Sequence, residues 1–162
     1  MTVTIRPGTE DDLPGMLRLW REMMDFHAHW DARFQPKPSP VAEQAWADYL
    51  REEILGSDTW CVFVAERERK LVGQTLGELR KRAPVWLPQT YGYVTDIVVD
   101  PDGRREGIGS VLFSALKDWF RERGATHLEL QVLARNPASQ AFWRAMGCNE
   151  YSNTMWYDLE AI

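Results

Sequence analysis

Cysteine is scarce in this chain: Cys61 and Cys148 lie far apart and outside any metal-ligand spacing. That argues against a disulfide framework or a thiolate zinc site and leaves reduced thiols facing the core. No apolar run is long enough to span a bilayer. The N-terminal MTVTIRPGTEDD lacks the basic segment and apolar core of a secretion signal, so a cytoplasmic location is expected and no membrane partner. Positive charge is not in excess either. A net charge of −5 argues against a broad nucleic-acid surface and favours cationic partners. Two phosphate-binding signatures are missing: no Lys-Ser or Lys-Thr follows the chain's glycine loop, and there is no G-x-G-x-x-G. What remains is an ordinary globular composition with eight tryptophans, and 162 residues have room for one core and a single domain over 1–162.

Hydrophobic periodicity divides the chain into elements. TVTIRP suits a short strand, and Thr9 caps a helix whose Leu13, Met16, Leu17, Trp20 and Met24 form one stripe. HAHWDARFQPKPSP, with three prolines, breaks that pattern as a loop. Ser39 and Pro40 open a second helix that Gly56 stops. TWCVFVAE and LVGQTLGEL form a hairpin around RERK, and the loop APVWLPQT leads to a third strand, YGYVTDIVVD. A helix from about Gly109 carries Val111, Leu112, Ala115, Leu116, Trp119 and Phe120 on one face and ends at Gly124. THLELQVLA alternates as a strand. Asn136 caps a short helix with Pro137 at its first position, and NTMWYDLE supplies a closing strand. The order predicts an α/β fold, an α+β mixed and mostly antiparallel central sheet with helices on both faces.

The densest chemistry lies in DIVVDPDGRREGIGSVLF, Asp96 to Phe113, where a strand, a turn and a helix start follow one another closely. A helix opening on GIGSV presents unpaired N–H groups and the positive end of its dipole, and glycines let an anion approach the backbone. Arg104 and Arg105 add charge beside it. A glycine pair before a helix is also a common turn, so these residues alone leave both readings open.

Arg104-Arg105-Glu106-Gly107-Ile108-Gly109 after DIVVDPDG resembles the signature R/Q-x-x-G-x-G/A of the GNAT superfamily of acetyl-coenzyme A-dependent N-acetyltransferases. AFWRAMGC after NPAS resembles that family's next block, A-x-x-F-Y-x-x-x-G-F. The resemblance is strong from about Tyr91 to Cys148 and loose before it, where the family builds its acceptor site. It implies a GNAT-like fold, with the backbone of Ile97, Val98 and Val99 pairing with the pantetheine arm. It also implies that amides from Arg105 through Ser110, including Gly107, Ile108 and Gly109, hold the pyrophosphate, with Arg104 beside them. Asn136 sits near the pantetheine or thioester in that scheme, a role compatible with capping its helix.

Acetyl transfer from a thioester needs a neutral amine, its alignment and a place for oxyanion charge. An alkyl amine with a pKa of about 10.4 is mostly protonated at pH 7, so a base must take its proton. The resemblance places Asp96 at the strand position where some members carry that base; a carboxylate that merely accepts hydrogen bonds at a strand irregularity is the alternative. Where many members have a thiolate-protonating tyrosine, this chain has Trp143, whose indole N–H is no practical acid. Tyr151 or a water substitutes, or Trp143 is a packing residue.

His27, His29 and Asp31 could suggest a metal, but residues two apart on a helix do not share a face and no further ligand run accompanies them, so no metal is expected. His27, His29, Trp30, Asp31 and Trp86, in APVWLPQT, are instead expected to line or cover the acceptor pocket, where acidic and aromatic groups favour a cationic amine; a solvated helix end with an anchoring tryptophan is the alternative. Partners are then a small-molecule or peptide amine, acetyl-CoA as donor, and a homodimer. A non-catalytic acyl-coenzyme A sensor and a nucleotide-binding module are the competing readings.

Overall fold

The computed structural model describes residues 2–159. Strand β1 (Thr4–Pro7) leads through a 3-10 turn (Glu10–Asp12) to α1 (Leu13–Trp30). Thr9 closes the turn, its backbone N–H donating to Asp12 Oδ2 at 2.9 Å. Helix α1 runs through His27, His29 and Trp30, which the sequence reading had assigned to a loop. The stripe Met16, Leu19, Met23 continues at helical spacing into His27 and Trp30, and after Pro14 in the first turn the next prolines come only at Pro36 and Pro38. Helix α2 (Val41–Tyr49) follows, then one π turn (Leu50–Ile54) that stops before Gly56 at φ +83°.

β2 (Trp60–Arg67) and β3 (Lys70–Lys81) form a hairpin whose turn residues, Glu68 and Arg69, take φ of 52° and 64°. Such a two-residue left-handed turn matches the twist of the strands. β4 (Thr90–Val99) leads to α3 (Ile108–Glu122), β5 (Leu128–Leu130) and α4 (Pro137–Ala145). The sheet order is β1-β2-β3-β4-β5, antiparallel through β4, with β5 parallel to β4. One face packs on α1 through Met16, Leu19, Met23, Leu76 and Val98. The other packs on α3 and α4 through Val94, Phe113, Leu116, Phe120 and Trp143. This is the mixed, mostly antiparallel sheet expected.

The closing strand is a correction. Among residues 149–159 there is no strand, and Met155, Trp156, Tyr157 and Leu159 are exposed; Glu160, the last residue of the expected strand, lies outside the described residues. Alternation alone does not make a strand when no neighbour offers a hydrogen-bonding edge in register. No helix among the described residues is long and apolar enough to cross a membrane.

Gly92 is where α3 and β5 close on β4. A Cβ there would fall 2.5 Å from Leu128 Cδ2 and 2.7 Å from Phe120 Cγ. Gly92→Ala is expected to cost about 1–3 kcal/mol through overpacking, read as a lower urea midpoint with an unchanged slope.

Candidate active site

The site begins with an irregularity in β4. Leu76 pairs with Asp96 but Gly77 pairs with Val94, so Thr95 is an extra residue, a β-bulge. The bulge reverses which face the following side chains take. Val94 packs in the α3 cluster, whereas Asp96 sits opposite Leu76, a member of the α1 cluster, and Val98 joins that cluster too. The Thr75 hydroxyl, fully buried, donates to the Asp96 carbonyl at 2.8 Å and holds the distorted backbone. Burial pushes the Asp96 carboxyl up to about 7, because desolvation disfavours the charged form.

Beyond the bulge, β4 loses its neighbour. β5 pairs with Gly92, Tyr93 and Val94 only. The edge of Ile97, Val98 and Val99 that faces away from β3 therefore has no strand beside it among the described residues. A backbone in this state needs amide partners from elsewhere, and an extended ligand carrying amides fits such a gap.

The strand ends at Asp100, whose carboxylate receives Asp102 N–H at 3.2 Å and the Lys70 ammonium at 3.0 Å. Arg104 turns back: its Nε donates to the Val99 carbonyl at 3.2 Å, and its guanidinium lies 5.4 Å from the Phe26 ring centroid on α1. Arg105 takes φ +64° and Gly107 φ +84°, the left-handed conformation that costs an L-residue about 1–2 kcal/mol. Val111 N–H donates to the Gly107 carbonyl at 3.1 Å, so the amides of Ile108, Gly109 and Ser110 precede the first helical acceptor. Nothing lies within 4 Å of a Cβ built on Gly107. Open space, free amides and a helix N-terminus make an anion cradle. Gly109 differs: its Cβ would come 3.1 Å from Phe142 Cε2, so its bareness serves the contact between α3 and α4. Asn136, 1 % exposed, caps α4 by accepting Ser139 N–H at 3.0 Å.

The sequence of the Acetyltransferase (GNAT) family matches residues 19–148, four-fifths of the chain and the whole of this geometry. The chain belongs to the GNAT family. An uncharacterised N-acetyltransferase of Methanocaldococcus jannaschii is 28% identical over 157 residues, covering 92% of this chain; the chain spans 62% of that relative's length. A mutant protein of Bacillus halodurans shares the fold with TM-score 0.82 and 22% identity, covering 96% of this chain and 99% of its own. The aminoglycoside N-acetyltransferase AAC(6')-Iy, crystallised with CoA, superposes with TM-score 0.77 and 20% identity, covering 99% of this chain and 96% of its own.

The residues expected at a GNAT acceptor site divide. His27 and Trp30 lie on the last turns of α1, on the same side of the helix as the core stripe. His27 Nδ1 and Trp30 Nε1 are buried without a protein partner, and burial lowers the imidazole pKa, which keeps it neutral. Asp31 is paired within the chain. Arg33 pairs with it, Nε to Oδ1 at 2.8 Å, and holds its carboxyl below the usual carboxylate range, so the charge expected to attract a cationic amine is matched within the chain. Trp86, 59% exposed, stands on the β3–β4 loop. Tyr151 lies in the irregular segment after α4 and is 78% exposed. Trp143 is a packing residue, 7% exposed, with its ring 5.2 Å from Phe113 and 5.0 Å from Phe142.

Glu78 and Tyr93 were missed. They pair across β3 and β4 on the face opposite Phe120, next to the Leu76–Asp96 pair. Arg80 Nε donates to Glu78 Oε2 at 2.6 Å, and its guanidinium lies 3.7 Å from the Tyr93 centroid. The alternation of β3 was visible in the sequence; its placement beside Asp96 depends on the bulge.

Proposed function

We propose that this chain is a single-domain N-acetyltransferase that transfers acetyl from acetyl-coenzyme A to a primary amine of a small molecule or peptide. The observation that carries the reading is the loss of pairing along Ile97–Val99 immediately before the free amides of Ile108–Ser110. The first suits the amides of a pantetheine arm and the second its diphosphate. Arg105, Gly107 and Gly109 shape the diphosphate loop, Arg104 braces it against Val99, and Asn136 fixes the start of α4 beside it. The bound donor supplies an activated thioester. Asp96, ionised at neutral pH in about half of the molecules or more, takes the proton of the incoming ammonium. His27, Trp30, Glu78 and Tyr93 border the acceptor, aromatic and acidic groups that favour a cationic amine.

The test is calorimetry with acetyl-coenzyme A, followed by thiol release with a panel of primary amines. Binding with release is expected. Binding without release from any amine supports the sensor alternative, which Trp143 no longer motivates now that it is a core residue, and no heat removes both. A cytoplasmic location and a homodimer belong to the same reading. The dimer is supported by the exposed Met155, Trp156, Tyr157 and Leu159 and by the edge position of β5; light scattering of the pure chain tests it.

A further inference from the structure

Gln74 is fully buried, yet neither its Oε1 nor its Nε2 has a partner among the described residues. A glutamine amide carries two donors and an acceptor oxygen with two lone pairs, and leaving such a group unsatisfied in a core is destabilising. Its neighbours on either strand are apolar: it pairs with Val64 on β2 and Val98 on β4. The register supplies the missing partner. Gln74 is opposite Val98, and Leu76 is opposite Asp96, so Gln74 and Asp96 are diagonal neighbours on one face of an antiparallel pair. Diagonal positions are within reach of long side chains. The bulge at Thr95 is what turns Asp96 onto the face that Gln74 occupies.

We propose that Gln74 is the positioning partner of Asp96, one ordered water between its amide and the Asp96 carboxyl orienting that carboxyl and favouring its ionised form. The water accepts from the Gln74 Nε2–H and donates to a carboxylate oxygen, and two polar partners are enough to hold it. Several charged groups on this side of the sheet pair with one another. On α1, Arg18 pairs with Glu22 at 2.7 Å and with Asp100 of β4 at 3.1 Å. On β3, Arg80 pairs with Glu78 and stacks on Tyr93 of β4. After α2, Arg51 pairs with Asp48 at 3.3 Å. His27 stays neutral, and one Glu22 oxygen remains without a partner. The inference rests on the proposed role of Asp96 as base, but it can fail separately.

The variant is Gln74→Met, of similar volume and without polar atoms, and the readout is direct titration of the Asp96 carboxyl carbon by NMR in the intact chain. Loss of the donated hydrogen bond is expected to make the carboxyl about tenfold weaker as an acid, a rise of about one pKa unit. A purely structural Gln74 predicts a folded variant with an unmoved Asp96 titration, and that result overturns the proposal. Should Gln74→Met not fold, the wild-type crystal structure at high resolution decides: a water within hydrogen-bonding distance of both groups supports the assignment, and its absence defeats it. Both readouts follow the carboxyl itself. The base role is read separately, by the acetylation rate of Asp96→Asn.

Discussion

Asp96→Asn is expected to lower the acetylation rate at pH 7 by about 10²- to 10⁴-fold, the usual contribution of a positioned general base, while coenzyme A affinity stays as in the wild type. The affinity should hold because the cofactor contacts proposed here are backbone amides, which the change leaves in place. Burial sets the pH at which the base works. With the carboxyl pushed up to about 7, the wild-type rate should climb with pH and level off above that value, and the Asn variant should lack this limb. The same shift has a sign in stability. A carboxyl raised from 3.8 to about 7 is favoured in its neutral form by the fold. Its stabilising contribution is complete below pH 4 and is lost as the pH rises through 7. The melting temperature of the wild type should therefore fall between pH 4 and 7 by an amount absent from Asp96→Asn. A full neutral-pH rate in the variant would remove Asp96 as base.

Gly107→Glu should reduce coenzyme A affinity by at least about 100-fold in calorimetry, since like charges held together cost several kcal/mol. Two effects act together. The residue sits at φ +84°, which an L side chain adopts only with strain, and the new carboxylate would occupy the open space in front of the loop. The overall fold should survive, because nothing lies within 4 Å of the added Cβ. Gly107→Ala separates the two effects: it carries the backbone strain of about 1–2 kcal/mol without the charge. An equal loss in both variants would place the effect in loop geometry rather than anion repulsion.

The legible parts of the site were those whose chemistry is local in the chain. The Arg104–Gly109 run announces a left-handed turn and a helix N-terminus in six consecutive residues. Asn136 followed by Pro137 announces a capped helix in two, and both appear where expected. The proposed acceptor residues were legible only in part, because they come from separate elements, α1, β3 and β4. Glu78 and Tyr93 have no motif, and their pairing is a matter of strand register. Asp31 looked like a free carboxylate until Arg33, two residues on, was seen to fold back on it. NTMWYDLE looked like a strand because its alternation says nothing about whether an edge is there to receive it.

The sequence by itself determined most of the elements, the phosphate-type cradle and the family, since each depends on spacing along a few consecutive residues. Only the tertiary structure decided which way Asp96 faces. Strict alternation places Val94, Asp96 and Val98 on one side of β4, and the register break at Thr95 sends Val94 to α3 and the other two to α1. A bulge is a choice made between two strands, imposed by how β3 pairs with β4 and pinned by the Thr75 hydroxyl, so no single strand's sequence contains it.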